Sequence, residues 1–103
     1  MNRHFFLLLF LGLHRLAAQP GGEVVFTGRI VDADQKSVKG ARVILVGLSE
    51  SRTDDDGLFR VSVPASVLEV QVELERFEVV YPRSGRAPVP RSSTTPVVFE
   101  VKR

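Results

Sequence analysis

The residues best equipped for chemistry in this 103-residue sequence are three consecutive aspartates, Asp54, Asp55 and Asp56, followed by Gly57. Carboxylate oxygens suit hard cations, so the run invites reading as a calcium loop. The ligand spacing of an EF-hand is missing, however, with no glutamate placed to complete it. The competing reading is a self-capped turn. Aspartate accepts hydrogen bonds from its own backbone, and glycine takes a positive φ at little cost. We favour the turn, and no metal or cofactor is assigned. Glu69 and Glu73 form another carboxylate pair, but a spacing of four, twice the strand period, puts them on one wet face as solubilising charges.

The other reactive groups are scarce. There is no cysteine, and the only histidines, His4 and His14, lie close to the start. That start has its own logic. Met1-Asn2-Arg3-His4 is a short basic lead, Phe5 to Leu13 is a nine-residue apolar block, and Leu16-Ala17-Ala18 offers small residues before Gln19-Pro20. The layout predicts a signal peptide over residues 1–18, cleaved after Ala18. An uncleaved anchor is the rival, but a bilayer takes about 20 apolar residues and His14-Arg15 interrupts the block. No membrane span is expected after cleavage.

Export removes both histidines, so neither a Ser-His-Asp nor a Cys-His arrangement is available to the mature chain. The imidazole and thiolate ligands typical of zinc are missing with them. The mature domain, residues 19–103, is not expected to be an enzyme. Removing Arg3 and Arg15 from the 14 basic residues leaves 12 against 12 acidic ones, so the formal charge of +2 vanishes and nucleic acid is not an expected partner. The remaining charge is uneven. Glu23 to Glu75 holds ten acidic and six basic residues, whereas Arg76 to Arg103 holds six basic and two acidic. Export without disulfides points to a bacterial cell-envelope, periplasmic or secreted protein.

The elements around the aspartates alternate in period two, as strands packed on a core do. Val24, Phe26, Gly28 and Ile30 share one face of a first strand, and Ala41, Val43 and Leu45 share one face of a second. Leu48 to Thr53 reads as a short edge strand or an extended connection. Phe59, Val61 and Val63 repeat the spacing until Pro64, which lacks a ladder donor. Leu68, Val70, Val72 and Leu74 alternate with Glu69, Gln71, Glu73 and Glu75, one face buried and one wet. On a helix those apolar residues would wrap around the cylinder. Phe77, Val79 and Tyr81 continue into a sixth strand, and Val97, Phe99 and Val101 form the last. Residues 81–96, rich in proline, read as a stiff surface connection. These strands predict an all-β, seven-stranded antiparallel Greek-key β-sandwich. At about 85 residues it buries a little over 60% of its unfolded surface and folds with modest stability.

The segments from Phe26 to Asp32 (FTGRIVD), Val38 to Leu45 (VKGARVIL) and Arg52 to Phe59 (RTDDDGLF) resemble the carboxypeptidase regulatory-like domain. Its pattern is G-x-V-x-D, a loop, G-A-x-V-x-L, then T-D-x-D-G-x-F, matched here by Gly28, Asp32, Gly40, Ala41, Val43, Thr53, Asp54, Asp56, Gly57 and Phe59. The resemblance covers residues 24 to about 80 and implies a transthyretin-like, immunoglobulin-like sandwich acting as a non-catalytic accessory module. The family's usual Gly-Tyr after the fifth strand is replaced by Arg76-Phe77. Transthyretin-like hydrolases of purine breakdown products need histidines, so the resemblance does not imply their activity here. The mature chain also lacks the asparagine required by the Lys–Asn crosslink of similar pilin-type sandwiches.

Physically, Gly28 and Gly40 suit a bend or the close approach of another strand, and Ala41 is small where two sheets converge. Phe59 is a large core anchor, contributing about 2–3 kcal/mol by burial. Two function classes remain. The first is a structural or protein-interaction module at the bacterial envelope, with a secreted or envelope protein as partner and Arg83, Arg86 and Arg91 as its candidate surface. The second is a carbohydrate-binding module for a polysaccharide. It would need an aromatic platform, and the mature chain has no Trp and only one Tyr, Tyr81.

Overall fold

The computed structural model describes residues 22–91 and 95–103. The expected signal peptide, residues 1–18, and the expected mature start at Gln19 lie outside the described residues.

The described residues form eight strands: β1 (Glu23–Val31), β2 (Arg42–Leu45), β3 (Ser49–Arg52), β4 (Leu58–Pro64), β5 (Glu69–Leu74), β6 (Glu78–Tyr81), β7 (Arg86–Pro88) and β8 (Val97–Lys102). A single 3-10 turn, Arg83–Gly85, precedes β7. The strands make two four-stranded sheets, β4-β1-β8-β6 and β3-β2-β5-β7, with the core between them. The molecule is an all-β sandwich.

Alternation places the core. Phe26 and Ile30 from β1, Phe59, Val61 and Val63 from β4, and Phe99 and Val101 from β8 point inward from one sheet. Val43, Leu45, Val70, Val72, Leu74 and Ala87 meet them from the other. At the centre, the rings of Phe26, Phe59 and Phe99 form a triangle with centroids 6.1–6.3 Å apart, all mutually tilted. Tilted rings at this spacing set the positive edge of one against the negative face of another. Gly28 makes room for the triangle. It sits opposite Phe59 in the β1–β4 ladder, and a Cβ there would stand 2.3 Å from Phe59 Cζ.

Four features differ from the sequence expectations. First, the proline-rich stretch is more than a surface connection, because it contributes β7 and sends Ala87 and Val89 into the core. The alternation Ala87-Pro88-Val89-Pro90 puts apolar side chains inward and prolines outward, which proline tolerates only at a sheet edge. Second, the eighth strand makes the topology mixed, since β8 lies parallel to β1. Third, the apolar face of the fifth strand is shorter than its pattern. β5 begins at Glu69, so Leu68 precedes it and is 72% exposed. Tyr81 is also outside the core, because the ladder shifts between Val79 and Tyr81 and places Tyr81 opposite Glu100.

Candidate functional site

Most of the sequence-marked residues build one end of the sandwich. Asp54 Oδ1 accepts hydrogen bonds from the backbone N–H of Asp56 (2.9 Å) and Leu58 (3.0 Å). The Asp54 N–H donates to the Leu58 carbonyl, and the Gly57 N–H donates to the Asp54 carbonyl. Gly57 has φ +76°, and a Cβ there would lie 2.7 Å from the Ile30 carbonyl oxygen. Asp56 offers its carbonyl to Arg29 Nε. The aspartate run is therefore a self-capped turn wedged against β1.

Asp32 repeats this construction. Its Oδ1 accepts from the N–H of Asp34 and Lys36, its N–H donates to the Lys36 carbonyl, and Gln35 donates back to its carbonyl. Gln35, at φ +66°, takes the place that Gly57 holds in the other loop. The two loops abut, since a Cβ on Gly57 would also come within 3.2 Å of Ser37 Cβ.

Thr53 and Ala41 lock the start of β2 to the end of β3. Thr53 is the one buried polar side chain among the described residues, and its Oγ1 accepts the Ala41 N–H at 2.8 Å. The Thr53 N–H returns a bond to the Ala41 carbonyl, and the Gly40 N–H donates to the Thr53 carbonyl. Gly40, at φ +69°, turns the chain into this lock, and its carbonyl accepts from Arg52. Val43 and Phe59 are core.

Beside these loops lies a cleft of about 780 Å³, within the size range of ligand sites. It draws its walls from both sheets: the approach to β2, the end of β3, the β5–β6 turn and the end of β8. Six basic residues line it, namely Lys39, Arg42, Arg52, Arg76, Lys102 and Arg103, against the acidic Asp32 and Glu75. Half-buried Val38 and Phe77 supply an apolar floor.

The cations differ in their commitments. Arg42 is held by two carboxylates, at 2.6 Å from Glu50 Oε2 and 2.8 Å from Glu75 Oε2. The side-chain hydrogen bond from Arg42 lowers the Glu50 pKa below its ordinary value, and the bond to Glu50 raises that of Arg42. Lys102 lies 3.7 Å from Glu78, and Arg103 stands over the Phe77 ring at 5.0 Å from its centroid. Lys39 and Arg76 make no ion pair or side-chain hydrogen bond among the described residues. Arg76 is also conformationally unusual. It has φ +70°, in the left-handed region that favours glycine, within the two-residue turn closed by the Leu74–Phe77 bridge.

The structure does not bring the expected arginine surface to this cleft. Arg86 pairs with Glu69 at 3.5 Å and lies opposite Gln71, while Arg91 donates to the Val67 carbonyl. Both sit toward the start of β5, whereas the cleft is at its far end. Arg83 is exposed in the 3-10 turn. The cleft itself was foreshadowed by two signals in the sequence, the excess of basic residues after Arg76 and an arginine where glycine fits the turn. Neither shows which cations converge.

Comparison with family models, curated proteins and solved structures returns no match. Fold and cleft together define a β-sandwich with a basic, partly apolar cleft at one end.

Proposed function

We propose that the protein is a non-catalytic, exported interaction module of the bacterial cell envelope, built on the carboxypeptidase regulatory-like, transthyretin-like plan with β7 as an added edge strand. The observation that carries this reading is the basic cleft, where unpaired cations border an apolar floor and no histidine or cysteine stands among the described lining residues. Such a surface suits an anionic partner, and among the described residues its lining offers cations rather than a nucleophile–base pair.

The polysaccharide alternative needs exposed aromatic planes. Tyr81 is 68% exposed, but Phe77 is half-buried and carries Arg103 across its ring, so the two do not form an open platform. Export rests on residues 1–18. The test is to express the full chain with a C-terminal tag in a bacterium and fractionate the cells. An envelope or secreted product beginning at Gln19 is the expected result. A cytosolic product that retains Met1 would overturn the proposed location.

A further inference from the structure

We propose that the cleft at this end of the sandwich binds an acidic peptide segment that also carries apolar side chains. Lys39, Arg52 and Arg76 would receive its carboxylates, and Val38 and Phe77 would seat the apolar groups. The inference deepens the interaction-module reading and rests on it.

Charge is the first argument. Six basic residues against two acidic ones give the cleft an excess that the mature composition, balanced overall, does not have. Clefts lined by one sign of charge focus their field and attract the opposite sign. Within this group Arg42, Lys102 and Arg103 already have partners, which leaves Lys39 and Arg76 unpaired and Arg52 bonded only to the Gly40 carbonyl. Guanidinium forks match carboxylates in shape as well as charge. Arg42 shows that chemistry in place, with one guanidinium spanning Glu50 and Glu75.

The second argument is Arg76 itself. A turn with a positive φ at this position is served best by glycine, yet it carries an exposed arginine aimed at no internal partner. Backbone strain held at a cleft residue points to a role outside folding.

The third argument selects the ligand. Sugars and nucleobases stack on open aromatic planes, and Arg103 stands over the face of the cleft's one ring, Phe77, whose remaining exposed surface can still meet an apolar side chain. Carboxylates with neighbouring apolar side chains fit what remains.

The probe is a fluorescein-labelled peptide of alternating glutamate and phenylalanine, titrated by fluorescence polarisation into the purified full-length chain. Saturable binding is expected, weakened about ten-fold or more in Arg76→Gly and in Lys39→Ala, as loss of a charge-assisted contact predicts. Arg60→Ala removes one positive charge from the exposed face of β4 and should leave affinity unchanged. Arg76→Gly should melt no lower than the parent, which separates lost binding from lost folding. Absence of binding, equal weakening by Arg60→Ala, or equal affinity for polyglutamate or alginate would overturn the proposal. Capture of envelope proteins on the immobilised chain separates the two levels. Capture that survives both cleft substitutions overturns the cleft assignment and leaves the interaction module standing. Retention on polysaccharide with no captured protein overturns both.

Discussion

Thr53 shows how one side chain sets the geometry of this end of the molecule. Its hydroxyl oxygen is the partner of the Ala41 N–H, in a buried position where water cannot substitute. Thr53→Val keeps the shape but orphans that donor, so unfolding free energy should fall by about 1–3 kcal/mol. Thr53→Ser retains the acceptor and should lose only about 0.8 kcal/mol for the missing methyl. Denaturant melts of the two variants check this, and equal losses would show that packing, not the hydrogen bond, matters. Arg76 is the opposite kind of residue, since nothing internal depends on its side chain. Relief of the left-handed conformation is worth about 1–2 kcal/mol, and the extra freedom of an unfolded glycine takes back about 0.5–1 kcal/mol. Thermal unfolding of Arg76→Gly should therefore show equal or slightly higher stability.

The loops headed by Asp32 and Asp54 are the same element used twice, yet their fourth residues are not equivalent. Gly57 is hemmed in by the Ile30 carbonyl, whereas Gln35 is exposed and reaches Glu100 with its side-chain amide. Gly57→Ala should cost about 2 kcal/mol or more, because the methyl adds a backbone clash to an unfavourable φ. Gln35→Gly should stay within about 1 kcal/mol of the parent, since relief of φ and loss of a surface bond offset each other. Chemical denaturation of the pair checks the contrast. Strand β7 illustrates a different device. Val89 donates inward to the Leu68 carbonyl, so the two-residue period turns the N–H positions of Arg86, Pro88 and Pro90 outward. Arg86 N–H is taken by the Arg83 carbonyl, and the prolines have none. This edge cannot accept an added strand as a full ladder partner.

At the scale of the whole molecule, ion pairs span strands without stabilising much, because all of them are exposed. Their pH signature is still readable. Glu50 has a lowered pKa in the fold, chiefly through its hydrogen bond with Arg42. Its contribution is fully present above the ordinary carboxylate value and is lost as pH falls through the lower, folded value. Arg42, with its raised pKa, stays charged throughout that window. Thermal melts on acidification should therefore fall more steeply for the parent than for Glu50→Gln, and identical slopes would remove Glu50 from the acid response. The same charges shape the cleft, since Arg42 consumes Glu50 and Glu75 and leaves its basic neighbours to face it.

Sequence alone determined the two-layer β architecture and most of its core. The inward sets Phe26/Ile30, Val43/Leu45, Phe59/Val61/Val63 and Val70/Val72/Leu74 follow from period two, because a strand has only two faces and one must be dry. The turn at Asp54-Asp56-Gly57 was legible too, since its hydrogen bonds join residues no more than four apart. Strand β7 was hidden because proline argues against a strand until one knows which side of the ladder it faces. The bulge that exposes Tyr81 depends on its pairing with β8, and a single strand does not carry its partner's register. Only tertiary structure decided the cleft. Lys39, Arg52, Arg76 and Arg103 come from four separate stretches, and their convergence depends on how the two sheets stack and where β8 ends beside the β5–β6 turn. Local pattern fixes which side of a strand is dry, while the meeting of distant charges is a property of the packed whole.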